Sequence, residues 1–187
     1  LHRKGDRDGS AAVLDELGQL PDVDVGAVAL FLKSLLAFET REFALARDSL
    51  VDLVSTFPDS EWVWHGHLLL GRCAHELGDL HGALKEFKSV VNQCSKPSLR
   101  EEAMMDMEAA THLYIASGEQ LLAAGQTGDA RDVFLKLKAI WTEETSESLY
   151  QGLWLAAVEQ NLSKCQHQTE AALHQRTKTT HQVGTLR

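Results

Sequence analysis

The stretch His67–Phe87, "HLLLGRCAHELGDLHGALKEF", is the most informative part of the chain. Apolar residues recur three and four positions apart on both sides of Gly78-Asp79, which is the spacing of two amphipathic helices joined by a tight turn. Gly71 and Ala83 are small where two such helices would cross, because a larger side chain would hold the helices apart. The stretch therefore predicts a helical hairpin with arms Trp64–Leu77 and Leu80–Cys94.

Two further hairpins are predicted on either side of this one. Upstream, the apolar spacing from Ala27 to Phe57 is broken only by "ETRE", and so short a loop implies antiparallel neighbouring helices. Downstream, one long or broken helix from Leu99 is followed by a turn at Gly125 and by the helical pattern "TGDARDVFLKLKAIW". Residues 146–174 keep enough apolar spacing for a capping helix.

The two ends of the chain are polar. We expect residues 1–10 to be a flexible N-terminal end, residues 11–174 to form a helical repeat domain that starts with a short helix over 11–20, and residues 175–187 to be a loose tail with almost nothing to bury. The chain starts at Leu1 rather than Met, so we expect any signal peptide or anchor to be missing from it already.

Composition excludes several classes of partner. The chain has 187 residues and carries 18 Lys+Arg against 27 Asp+Glu, a net charge of -9, which repels the phosphates of nucleic acids and of anionic lipids. The most apolar window, "VGAVALFLKSLLAF", is shorter than the roughly 20 residues that span a bilayer, so no transmembrane segment is predicted. With only three prolines, long helices and an all-α fold are favoured.

Small and bulky residues recur at matching places in the three predicted hairpins. The middle hairpin has Leu70-Gly71 and Ala83 followed by Phe87. The matching residues are Ala46, Leu50, Leu53 and Pro58 in the first hairpin, and Gly118, Gly125, Ala130, Phe134 and Leu137 in the third. This pattern resembles the tetratricopeptide repeat, a helix-turn-helix unit of about 34 residues. The resemblance implies an α-solenoid of about three antiparallel helical hairpins with flanking helices.

The repeat is uneven. Lys33-Ser34 replace the Leu-Gly pair in the first hairpin, and Ser117 replaces the Leu in the third. Ala46 and Ala83 are 37 residues apart, whereas Ala83 and Ala130 are 47 apart. An insertion around "KPSLREEAMMDM" explains the longer interval. Phe87 and Phe134 are expected to fill the space between adjacent hairpins.

The repeats from Glu42 onward are similar to those of bacterial cell-envelope tetratricopeptide proteins, in which a "yP-x-S" junction also joins one repeat to the next. This similarity implies the periplasmic side of the cell envelope, with the cytoplasm as the alternative. The chain departs from those proteins by its three cysteines and by lacking an N-terminal lipidated Cys.

The resemblance implies a non-enzymatic scaffold that binds another protein or a peptide segment, within a multiprotein complex, on the concave face made by the first helix of each hairpin. The alternative is a structural subunit permanently buried in a large assembly. The positions on the concave face are Phe31, Leu35 and Phe38, then His65, Leu68, Arg72 and His75, and finally His112, Ile115 and Glu119. Arg72 either holds a carboxylate or carbonyl of the partner through its planar fork or pairs with Glu76 one helical turn away.

No catalytic residue, metal site or cofactor is predicted. His65 and His67 are two residues apart and cannot share one face of a helix. Cys73 is expected to be a small buried hydrophobe, and Cys94, near a helix end, to be exposed. A thiol- or metal-dependent enzyme therefore has little support. Trp62 and Trp64 either pack between hairpins or form an exposed anchor for a partner.

Overall fold

The computed structural model describes residues 4–18, 23–142 and 149–184, and every regular element in these ranges is an α-helix. The prediction of an all-α protein is therefore confirmed. The helices are α1 (Lys4–Gly18), α2 (Val23–Glu39), α3 (Phe43–Thr56), α4 (Val63–Glu76), α5 (Leu80–Gln93), α6 (Pro97–Ala123), α7 (Thr127–Thr142) and α8 (Leu149–Gly184).

The chain divides into two compact units, residues 1–110 and residues 111–187, and the boundary lies within α6. In the first unit each helix from α1 to α4 packs against the one that follows it, and α2 also contacts α4. In the second unit α7 packs against α8. The core of the first unit includes Leu50, Leu53 and Cys73, all fully buried.

The turns after α2, α4 and α6 are built in the same way. Each contains one residue of positive φ, namely Arg41 (65°), Gly78 (82°) and Gly125 (77°). The amide of this residue donates to the carbonyl three residues back, and the following amide donates to the carbonyl five residues back, at 2.9–3.0 Å. This pair of bonds is the Schellman motif, which satisfies the last carbonyls of a helix. The positive-φ residues each lie seven positions after Ser34, Gly71 and Gly118.

Gly71 and Gly118 are in close contact with an aromatic ring of the next helix. A Cβ atom at Gly71 would lie 2.4 Å from Cε1 of Phe87, and a Cβ atom at Gly118 would lie 2.6 Å from Cζ of Phe134. Both rings are at most 1% exposed. Each Phe therefore fills the space within its own hairpin, where the helices cross, and our expectation that it packs between hairpins needs this correction.

The buried positions of the second helices share one register. Counted from Ser34, Gly71 and Gly118, the residues 12, 16 and 19 positions later are all at most 1% exposed. They are Ala46, Leu50 and Leu53 in α3, Ala83, Phe87 and Val90 in α5, and Ala130, Phe134 and Leu137 in α7. The three hairpins thus repeat the same internal arrangement at intervals of 37 and 47 residues.

The longer interval comes from an N-terminal extension of α6, which has 27 residues where α4 has 14. The last residues of the two helices, Glu76 and Ala123, each lie five positions after the glycine at the crossing. The two helices therefore end in the same register, and all of the additional length of α6 precedes the crossing. A shorter loop before α6 than before α4 offsets part of this length. Pro97 is the first residue of α6, a position at which no amide hydrogen is needed.

Both ends of the chain are more helical than predicted. Helix α1 begins at Lys4 rather than at residue 11, and α8 continues to Gly184 rather than ending near residue 174. No proline and no further glycine interrupts α8 between Gly152 and Gly184, so nothing local breaks its backbone hydrogen bonds. Residues 1–3 and 185–187 lie outside the described part of the chain.

Candidate protein-interaction surface

Three aromatic side chains meet on the face that α2 and α4 present in the first unit. The Phe31 ring lies 5.1 Å from Trp62 and 5.9 Å from His65, and the Trp62 and His65 rings are 5.1 Å apart. All three side chains are half-buried. We call this surface, with Leu35, Phe38, Arg72 and His75, the first-helix face.

The remaining predicted positions of the first unit differ in accessibility. Leu68 is only 4% exposed, so its side chain belongs to the core, and a partner cannot reach it in this structure. Leu35 and Phe38 are half-buried against the core, and Phe38 also makes an edge contact with Phe43. His75 is half-buried near the end of α4. The first-helix face is therefore mainly the aromatic trio and its charged neighbours.

Arg72 is held by two carboxylates of α6. Its Nη2 atom donates to Oε1 of Glu102 at 2.6 Å, and its Nε atom donates to Oδ2 of Asp106 at 2.7 Å. Burial disfavours the charged guanidinium, but these two hydrogen bonds outweigh burial and raise the pKa of Arg72. The partners are therefore Glu102 and Asp106, neither of which we had predicted, and helical spacing alone had suggested Glu76.

His65 and His67 have different surroundings, as expected for neighbours two residues apart on a helix. Burial lowers the pKa of His65, and the positive charge of Lys96 lowers it further. The Nδ1 atom of His67 lies 2.7 Å from Oε2 of Glu86, and its ring packs on Trp64. Trp62 and Trp64 are both half-buried. Among the described residues, no three His, Cys, Asp or Glu side chains are grouped so that they could hold a metal ion.

The predicted positions of the second unit form a separate set. The exposed His112 ring makes an edge contact with Trp154 of α8 at 4.5 Å, and Ile115 is half-buried. Glu119 lies 3.9 Å from the Lys164 ammonium. Beside this pair, residues of α6 and α8 line a groove of about 400 Å³. Its lining also includes Leu122, Asn161 and His167.

The three cysteines are buried and free. Cys73 is fully buried, as predicted, and burial raises the pKa of its thiol to about 11. Cys94 is 3% exposed, so the expectation that it would be exposed is wrong. It sits at the C-terminal end of α5, where its Sγ atom accepts a hydrogen bond from the Lys96 amide. Cys165 is also fully buried.

The protein is an all-α protein whose three helical hairpins share one register and which presents an aromatic and charged face in its first unit. No protein-family model matches the chain, and neither does any curated protein or solved structure. None of the helices in the described ranges is both long and apolar enough to cross a membrane.

Proposed function

We propose that this protein is a non-enzymatic interaction module of the tetratricopeptide class that binds a segment of a partner protein on the first-helix face. The shared register of the three hairpins carries this proposal. A small residue at the position of the crossing glycine, the same Schellman turn and the same buried positions recur in each hairpin. Repeats of this kind stack their apolar faces and leave the concave face made by the first helices for ligands.

The chemistry of the first-helix face supports a protein ligand. Phe31, Trp62 and His65 form a half-buried aromatic cluster, and aromatic side chains dominate the energy of protein interfaces. A charged group lies at one side of this cluster and consists of Arg72 with Glu102 and Asp106. A short amphipathic segment, with an apolar side and a polar side, matches that combination.

Site-specific photo-crosslinking tests the proposal. A benzoylphenylalanine at His75 places the probe on the first-helix face, and the same probe at the exposed Val51 of α3 is the matched control. We expect crosslinks to a partner protein from His75 that Phe31→Ala weakens, and few from Val51. Equal crosslinking at both positions would place the binding surface elsewhere.

One observation favours the alternative, a structural subunit of a larger assembly. In α8 every residue from Gln166 to Gln175 is exposed, although the helix continues to Gly184. Short isolated helices are only marginally stable in water, because most helical stability comes from packing. A permanent neighbour that covers this part of α8 would explain its helical state. Light scattering on the purified chain separates the two functions, since a subunit of this kind would aggregate or remain partly unfolded alone.

A further inference from the structure

Arg72 distinguishes the second hairpin from the other two. It directly follows the glycine at the helix crossing, and the corresponding residues are Leu35 in α2 and Glu119 in α6. Arg72 is thus the only cation at this register position. Its side chain is 33% exposed and forms charge-assisted hydrogen bonds with Glu102 and Asp106. These two carboxylates are four residues apart and therefore lie on one side of α6.

Both carboxylates belong to the extension of α6. When the hairpins are aligned on their crossing glycines, Val63, the first residue of α4, corresponds to Ala110 of α6. Glu102 and Asp106 both precede Ala110, so no residue of α4 corresponds to either carboxylate. The ion pairs with Arg72 therefore exist only because the third hairpin has a longer first helix.

The extension is also packed against the rest of the first unit. Leu99, Ala103 and Met107 are at most 7% exposed, and Nε of Arg100 donates to the backbone carbonyl of Val91 at 2.9 Å. The spacing of four residues puts this apolar row along one face of the helix. Glu102 and Asp106 are therefore held in place before any ligand arrives.

The ion pairs nevertheless remain open to exchange. Glu102 is 43% exposed and Asp106 is 30% exposed, so water and a competing carboxylate can reach the ion pairs that they form with Arg72. The first unit contains 11 Lys+Arg and 19 Asp+Glu, a net charge of -8. Such a surface repels an acidic segment unless a cation is available at the point of contact.

We propose that the extension of α6 is an autoinhibitory clasp, in which Glu102 and Asp106 occupy the guanidinium of Arg72 and close the first-helix face to acidic segments. The inference rests on the proposed function, because it concerns regulation of the same face. An acidic partner binds when one of its carboxylates replaces the carboxylate of Glu102 or Asp106 on Arg72. If the clasp is closed nine times in ten, it weakens binding about ten-fold, since the apparent dissociation constant is the intrinsic one divided by the open fraction.

The test compares the whole chain with two variants that each lose two negative charges from the same helix. Glu102→Gln with Asp106→Asn opens the clasp, and Glu101→Gln with Glu108→Gln is the matched control. The first measurement is the rate at which phenylglyoxal, an arginine-selective reagent, modifies each arginine, with the exposed Arg47 as internal reference. We expect Arg72 to react about ten-fold faster relative to Arg47 only when the clasp is open.

The second measurement is the affinity for a helical peptide with leucines on one side and glutamates on the other, compared with its glutamine counterpart. We expect the open variant to bind the glutamate peptide about ten-fold more tightly than the wild type and the control do. The glutamine peptide should show no such gain, and adding Arg72→Gln should abolish it.

The outcomes separate the two proposals. If Arg72 of the wild type reacts as fast as in the open variant, or if opening the clasp leaves affinity for the glutamate peptide unchanged, the clasp is refuted. The proposed function still stands in either case if the probe at His75 captures a partner. If that probe captures nothing while the glutamate peptide gains affinity as expected, the clasp is real and the proposed function fails.

Discussion

Gly71→Ala tests the helix crossing on which the register of the hairpins depends. The new Cβ atom would lie 2.4, 2.6 and 3.0 Å from three ring carbons of Phe87. All three separations are well below the 3.5–4.0 Å of an ordinary carbon–carbon contact. Because the Phe87 ring is 1% exposed, it has no solvent-filled space into which it can turn. The helices must therefore separate or the ring must leave its rotamer.

The expected magnitude combines two opposing effects. Overpacking a well-packed core costs about 1–3 kcal/mol, and the depth of this overlap favours the upper end. Alanine in place of glycine inside a helix stabilises it by about 1 kcal/mol. The net destabilisation is therefore about 2 kcal/mol, which lowers Tm by about 4–8 °C for a chain of this size. Gly152→Ala, where a Cβ meets nothing within 4 Å, should instead stabilise by about 0.5–1 kcal/mol.

The first hairpin suggests the compensating change. At the corresponding positions it has Ser34 and Leu50, so a larger residue in the first helix accompanies a smaller one in the second. We expect Gly71→Ser with Phe87→Leu to be more stable than the sum of the single losses by about 1–2 kcal/mol in a double-mutant cycle. Thermal and urea unfolding measure these values. An unchanged or raised Tm for Gly71→Ala, or strictly additive losses in the cycle, would refute the shared crossing.

Three further predictions concern the cysteines, one histidine and one turn. The three thiols should react with a maleimide far more slowly in the native chain than in denaturant, because all three are buried and thiolate is the reactive form; fast native labelling of Cys73 would contradict its packing. Burial and Lys96 lower the pKa of His65 from 6.5 in the folded state, so the stability due to neutral His65 is full above pH 6.5 and is lost as the pH falls through the pKa of the folded state. Between about pH 7.5 and 5 the Tm of His65→Gln should therefore fall less than the Tm of the wild type. Equal falls in Tm would contradict a lowered pKa of His65. Arg41→Gly should raise the free energy of unfolding by about 0.5–1 kcal/mol, because Arg41 adopts a φ of 65° that costs a non-glycine residue about 1–2 kcal/mol. Arg41→Ala should not raise the free energy of unfolding.

The sequence was sufficient for the helices from Ala27 to Leu137 because small and bulky residues alternate there with a helical period. Both loops at "ETRE" and Gly78-Asp79 fall where the pattern placed them. The turn at Arg41 was harder to match with Gly78 and Gly125, since an arginine gives no sign of a positive φ. Only the common distance of seven residues from Ser34, Gly71 and Gly118 reveals that the three turns are equivalent.

The ends of α1 and α8 were missed for a different reason. Apolar periodicity reports burial, and residues 166–175 of α8 are helical without being buried. The burial of Cys94 was missed for yet another reason. A position close to a helix end suggests exposure, but the loop that follows covers this side chain, and its Lys96 amide donates to the sulfur.

The candidate surface shows why side chains far apart in sequence cannot be paired from one helix alone. Local spacing offers Arg72 only the carboxylate of Glu76, whereas its partners lie 30 and 34 residues away. When the hairpins are aligned on Gly71 and Gly118, Glu119 takes the position of Arg72. The alignment leaves out the extension, because nothing in α4 corresponds to it. The difference between the 27 residues of α6 and the 14 of α4 corresponds to about 20 Å of helix, and this N-terminal length brings Glu102 and Asp106 to Arg72 of α4. The additional N-terminal length of α6 therefore adds a surface that faces α4, and its charges act on a residue of the preceding hairpin.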